Sequence, residues 1–204
     1  MAMTRTKVIL ITVPVVALAL IGGLVYAYRL PPFTKRGEIE ASAVCTSLGD
    51  KTRAANALRK VLPEEASYSF TEDPIELEIT QTRTTYLSDC FVYGNGKQLL
   101  AAKAETLEYN STDEWVEEAV GQLAPLSTLK PFSAGDRAVA SDQIAAIYVP
   151  CLSRGVNRHL SVIMWLKRKG EASSSTIRRG LIDLARSSAE YAHSAAKCDV
   201  EAKL

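Results

Sequence analysis

The chain has 204 residues, 47% of them hydrophobic, with 24 Lys and Arg against 23 Asp and Glu. That balance gives a core-forming composition and excludes the low hydrophobicity and high net charge of a disordered chain. A formal net charge of +1 also excludes the strongly basic surface of a general nucleic-acid binder, so no nucleic acid is expected among its partners.

Residues Val8 to Tyr28 carry no charge between Lys7 and Arg29. At about 1.5 Å rise per residue, such a helix covers roughly 30 Å, the hydrocarbon thickness of a bilayer. We therefore expect a transmembrane helix over 8–28 acting as a signal anchor. Pro14 and the Gly22–Gly23 pair are tolerated there because helix neighbours and lipid force backbone hydrogen bonds to close internally. The competing expectation is a signal peptide cleaved after Ala27, since Arg5 and Lys7 make a basic start. Met1 to Lys7 then reads as a short cytoplasmic tail, and residues 29–37, with Pro31 and Pro32, as a stiff tether.

Flanking charge does not orient the span, because Arg5 and Lys7 on one side face Arg29, Lys35 and Arg36 on the other. The cysteines do. Cys45, Cys90, Cys151 and Cys198 all follow the apolar run, without CxxC or Cys/His spacing suited to zinc or redox work. They suit two disulfides in an oxidising compartment, which places the N-terminus in the cytoplasm and residues 38–204 outside the cell membrane as one extracytoplasmic domain. Pairing Cys45 with Cys90 and Cys151 with Cys198 is preferred. Pairing Cys90 with Cys151 and Cys45 with Cys198 stays open.

Within that domain, Glu38 to Leu62 reads as one or two helices interrupted near Gly49, with Ala54, Leu58 and Val61 inward. Ile75, Leu77 and Ile79 alternate with Glu76 and Glu78 as a half-buried strand. Thr84 to Tyr93 continues as β, Gly94-Asn95-Gly96 is a tight turn, and Lys97 to Tyr109 returns. Ser111 or Thr112 caps a helix that stops before Pro125. Ala138 to Leu152 and His159 to Lys167 form a second strand pair. A helix from the Ser173–Ser175 cluster to about Lys197 buries Ile177, Leu181, Leu184, Ala185, Ala189 and Ala192.

An offset of 61 residues sets CFVYGNGKQL on CLSRGVNRHL and then Val116, Val120, Leu123 and Ala124 on Ile177, Leu181, Leu184 and Ala185. This predicts an internal repeat over about 75–124 and 136–185, each copy strand, turn, strand, helix. The expected fold class is α+β: an antiparallel sheet of four to six strands with helices packed on one face.

Charge is uneven. Residues 37–136 hold 17 Asp and Glu against 8 Lys and Arg, and residues 137–204 hold 6 against 11. Arg154, Arg158, Lys167, Arg168, Lys169, Arg178 and Arg179 are a possible binding patch for an anionic polymer, lipid headgroups or an acidic protein surface.

Catalytic signals are weak. His159 has Ser153 and Asp142 near it in sequence, yet no nucleophile elbow accompanies them. His193 stands alone. Glu76 with Glu78, and Glu117 with Glu118, have the pairing that glycosidases use but also that of solvated faces. Asn110-Ser111-Thr112 fits a glycosylation acceptor and reads here as a helix cap. No catalytic residue, cofactor or metal site is expected. The composition, short basic start and cysteine pattern look broadly like those of small exported proteins of the bacterial envelope, which implies no activity. The sequence thus predicts a membrane-anchored, non-enzymatic binding or assembly module for a protein partner or envelope polymer. The alternatives are a small envelope hydrolase using Glu76, Glu78 and His159, and an accessory subunit of a membrane complex acting through its helix.

Overall fold

The computed structural model describes Gly23 and residues 36–79, 84–153 and 156–204. The expected membrane helix apart from Gly23, the tail before it and most of the tether lie outside the described residues, as does Arg154. Among the described residues, no helix is long and apolar enough to cross a membrane. Residues 37–204 form one compact unit.

The unit begins with two 3-10 turns, Ala41–Ala43 and Thr46–Leu48, before helix α1, Lys51–Val61. Asp50 starts α1 by accepting from the Arg53 N–H at 2.7 Å, which satisfies one of the free donors at a helix start. Gly49 breaks the run as expected. Its φ is +80°, and a Cβ there would stand 2.4 Å from the Ser187 carbonyl oxygen. Ala54, Leu58 and Val61 are buried, as their spacing predicts.

Eight strands follow among the described residues: β1 (Tyr68–Glu72), β2 (Glu76–Ile79), β3 (Thr84–Gly94), β4 (Lys97–Leu107), β5 (Lys130–Pro131), β6 (Arg137–Ala140), β7 (Ile144–Ser153) and β8 (Val156–Leu166). All pairs are antiparallel, in the order β1-β3-β4-β8-β7-β6-β5, with β2 also on β3. Between β3 and β4, Asn95 and Gly96 have φ of +47° and +75°, the double positive φ of the tight hairpin turn that their residue types favour.

The sheet exceeds the expected four to six strands for two reasons. The span Ala138 to Leu152, expected as one strand, folds back at Ser141, where the Ser141 N–H donates to the Ile144 carbonyl at 2.8 Å and the Ser141 hydroxyl accepts from the Gln143 N–H. Short margins, β1 and β5, add the rest.

Helix α2 is Thr112–Trp115, capped by the Ser111 hydroxyl, and runs straight into a π-helical stretch, Val116–Val120. Helix α3, Ser174–Ala195, starts from Ser173, whose hydroxyl accepts from the Thr176 N–H. Its six predicted core residues are all buried. Gly180 lets it approach α1 closely, since a Cβ would lie 2.5 Å from Val61 Cγ1.

Here the structure corrects the expectation that all helices share one face. Cys90, Val92, Ala102, Ala104, Ile147, Val149, Leu160, Val162 and Met164 point to the side covered by α1 and α3. Val139, Ile144, Ala146, Tyr148 and Ile163 point the other way and pack with Trp115 and Val120. Strands β6 to β8 are therefore buried on both sides, because α2 and its π extension lie across them opposite α1 and α3.

The strand-turn-strand-helix order recurs, and the hairpins sit together as β3-β4-β8-β7. The 61-residue offset does not carry facing across the hairpins, however. Gly94 pairs with Lys97 where Ser153 pairs with Val156, a spacing of 59. Ala102 lies on the α1/α3 side while its counterpart at offset 61, Ile163, lies on the other. The two following helices also occupy opposite faces.

Two disulfides are present, Cys45–Cys90 and Cys151–Cys198. This is the preferred pairing. The first ties the segment before α1 to β3, and the second ties the segment after α3 to β7.

Candidate ligand groove

The α2 wall covers only part of its face. Over β3 and β4 the same face is open, and the cross-strand register sets out what lines it. Phe91 stands opposite Ala101, and Ala101 opposite Trp165. Asp89 faces Lys103, which faces Ile163, and Leu87 faces Glu105, which faces Ser161. Neighbouring strands lie about 4.8 Å apart, so Phe91 and Trp165 are about 10 Å apart with only the Ala101 methyl between them. A slot between two aromatic walls is the direct result.

The π stretch supplies the opposite wall through Glu118 and Ala119, extended by Gln122 and Leu123, while Leu107 and Tyr109 close one end. The groove has a volume of about 410 Å³. An adjoining hollow of about 510 Å³, lined by Glu76, Glu78, Leu87 and Thr106 among others, shares Glu105 with it.

Acids outnumber bases here. Asp89, Glu105 and Glu118 line the groove with one cation, Lys103, whose ammonium is 2.9 Å from Glu105. Burial raises the Asp89 carboxyl above its ordinary value; Lys103 opposes this, while Asp73, Glu105 and Glu76 reinforce it. Burial likewise raises Tyr109, with Glu118, Glu105 and Glu114 adding to the effect. The Lys167 ammonium sits 2.9 Å from the centroid of the Trp165 ring, so this indole already engages a cation through its π face.

The predicted site residues fall elsewhere or fall apart. The Nε2 of His159 is 3.0 Å from Asp136, and its ring stacks at 4.1 Å on Tyr148. Tyr148 stacks in turn on Trp115 at 4.9 Å, and the Trp115 Nε1–H donates to the Ser161 hydroxyl at 2.9 Å. Burial pushes Tyr148 up to about 12. His159 is thus part of an aromatic stack beneath α2. Asp142 pairs with Lys169 at 2.7 Å, in the turn before β7, whereas Ser153 ends β7, so the length of that strand separates them. Glu76 and Glu78 are exposed on β2, three strands from His159. His193 is partly buried on α3, where burial lowers it against hydrogen bonds to the Val200 and Pro150 backbone. Glu117 faces a separate small hollow beside Leu126 and Arg137. Among the described residues, no His, Cys, Asp and Glu group could hold a metal ion.

Among the described residues, the predicted basic residues are spread out and engaged. Arg158, near one end of β8, is 2.8 Å from Glu108. Lys167, Arg168 and Lys169 follow its other end, with Arg168 3.7 Å from Glu65. Arg178 donates to the Ala140, Lys130 and Pro131 carbonyls, and Arg179 to the Ser175 carbonyl.

Sequence reasoning missed the groove residues Phe91, Ala101, Lys103, Glu105, Tyr109 and Trp165 as a set. A signal for them exists. Ile144 to Val149 and Leu160 to Leu166 are nearly unbroken apolar runs, which marks strands covered on both sides. Asp89, Lys103 and Glu105 alternate with apolar neighbours, which marks strands covered on one.

Comparison with known proteins gives no match to a family model, a curated protein or a solved structure.

Proposed function

We propose that this chain is a non-enzymatic binding module, anchored in the cell membrane by Val8 to Tyr28 with residues 38–204 outside. Its groove receives a cationic group on an apolar body, presented by a protein partner or an envelope polymer. The observation that carries this reading is the acid-lined slot between Phe91 and Trp165. Flat aromatic walls attract a cation and its apolar stem, and the surplus of carboxylates selects positive charge. The two disulfides support an oxidising compartment. A hydrolase would need Glu76, Glu78 and His159 to share a pocket, and their separation on the sheet gives that reading no support.

The test uses the full-length chain in non-ionic detergent, with tryptophan fluorescence as the readout, because Trp165 lines the groove while Trp115 is buried in the stack. Titration with an aromatic or alkyl ammonium changes the emission. Ala101→Leu, which fills the slot on a half-buried position, abolishes the change while leaving the fold intact. An unchanged response in that variant, or no response to any ammonium at millimolar concentration, refutes the reading.

A further inference from the structure

Strand β2 is a sheet margin whose surface has the wrong chemistry for solvent. It pairs only with β3 among the described residues, so its other edge presents backbone N–H and C=O groups. Such edges are ordinarily protected by charge, proline or burial, because an apolar edge recruits another strand. Here Ile75, Leu77 and Ile79 are 37%, 40% and 37% exposed. Among the described residues they are three of the four large hydrophobic residues singled out by exposure, the fourth being Leu126.

The register adds a second layer. Leu77 lies opposite Tyr86, which points to the α1/α3 side, while Glu76 lies opposite Leu87 and Glu78 opposite Thr85, on the groove side. The edge is therefore two-sided: apolar on the helix face, acidic on the groove face. Glu78 also meets the Thr85 hydroxyl at 3.5 Å, which holds its carboxylate on that side.

We infer that β2 is a docking edge for an extended segment of a protein partner in which apolar and basic residues alternate. Side chains directly across an added strand share a face with their β2 neighbours. The partner residues beside Leu77 and Ile79 must be apolar, and those beside Glu76 and Glu78 must be Lys or Arg. Main-chain hydrogen bonds hold such a strand, and the alternation gives it selectivity. A second copy of this chain is disfavoured as occupant. Antiparallel pairing of β2 with itself keeps both faces and sets Glu76 and Glu78 against the same acids, a like-charge contact. The inference rests on the partner in the proposed function being a protein, but not on the groove.

The experiment measures fluorescence anisotropy of labelled eight-residue peptides on the full-length chain in non-ionic detergent. One peptide alternates Lys and Val, one has the same composition as a Lys block followed by a Val block, and one alternates Glu and Val. The alternating Lys–Val peptide binds at least about tenfold more tightly than the block peptide, a factor corresponding to about 1.4 kcal/mol. The double variant Glu76→Lys with Glu78→Lys loses that preference and gains binding of the Glu–Val peptide, which also reports that the variant is folded. Ala101→Leu leaves the preference for the alternating over the block peptide unchanged. Equal affinity for alternating and block peptides, or Lys–Val binding that survives the double reversal, overturns the inference. So does loss of that preference in Ala101→Leu, which assigns the peptide to the groove. Ammonium quenching of Trp165 that persists in the double reversal leaves the groove reading standing when the edge reading fails.

Discussion

Removing the disulfides one at a time tests the architecture most directly. The bridges close segments of 45 and 47 residues that follow one another along the chain without overlapping. On the chain-entropy model each restricts the unfolded ensemble by about 4 kcal/mol at 25 °C, and the two values differ by less than about 0.1 kcal/mol because the dependence on length is logarithmic. Because the loops are sequential rather than nested, the two restrictions are independent. Cys45→Ala with Cys90→Ala and Cys151→Ala with Cys198→Ala should each cost about 4 kcal/mol, and all four substitutions together about 8 kcal/mol. That sum is comparable to the whole stability of an ordinary domain, so the quadruple variant is expected to be largely unfolded. Urea unfolding of residues 37–204, followed by far-ultraviolet circular dichroism, provides the three values. Losses below about 1 kcal/mol for either pair, or a strongly non-additive quadruple variant that stays folded, refute the reasoning.

Three further outcomes follow from named contacts. Ser161→Ala removes the acceptor of the buried Trp115 indole N–H, and urea unfolding of residues 37–204 should report a loss of about 1–3 kcal/mol. Gly49→Ala forces a side chain onto a φ of +80° and against the Ser187 carbonyl, so a loss of more than about 2 kcal/mol is expected in the same assay. Glu72 has its carboxyl raised by burial but, more strongly, lowered by bonds from Ser47 and Thr46, giving a folded value below the ordinary 4.5. Its stabilisation is complete above the ordinary value and is lost as pH falls through the folded one. Glu72→Gln should therefore be less stable than the parent at neutral pH and converge with it as pH falls below the folded value, and a constant difference across the acid range would contradict the assignment.

Much of the fold could be read locally. The Asn95-Gly96 turn, the Ser111 and Ser173 caps and the α3 stripe depend on residues a few positions apart, where dihedral preference and helical period decide the outcome. The cysteine pairing could be preferred but not decided among three connectivities, on the ground that it joins helix-flanking segments to strands. What could not be read depends on distant parts of the chain. The face on which the α2 segment packs is set by how it crosses β6 to β8, and a shift of one residue in a strand reverses which side chains it meets. That is how a gapless alignment at an offset of 61 could match sequence while failing in facing. The hydrophobic alternation of Ile75, Leu77 and Ile79 correctly indicates a strand. Its burial was overestimated because at the sheet margin no helix among the described residues covers those side chains. The groove was only partly legible for a related reason: alternation of Asp89, Lys103 and Glu105 marks its open face, but Phe91, Ala101 and Trp165 come from three strands and only their register brings them into one row.

Both cross-links join the sheet to segments beside α1 and α3, and neither touches α2 or the π stretch. The covalent constraints therefore narrow the unfolded ensemble without stiffening the groove. Its helical wall is held mainly by the stack of Trp115 on Tyr148 and by the small apolar set around Val120. The disulfides thus restrain the unfolded chain, while a handful of aromatic contacts holds the helical wall of the groove against the sheet. The covalent restraint and the aromatic restraint lie on opposite sides of one sheet.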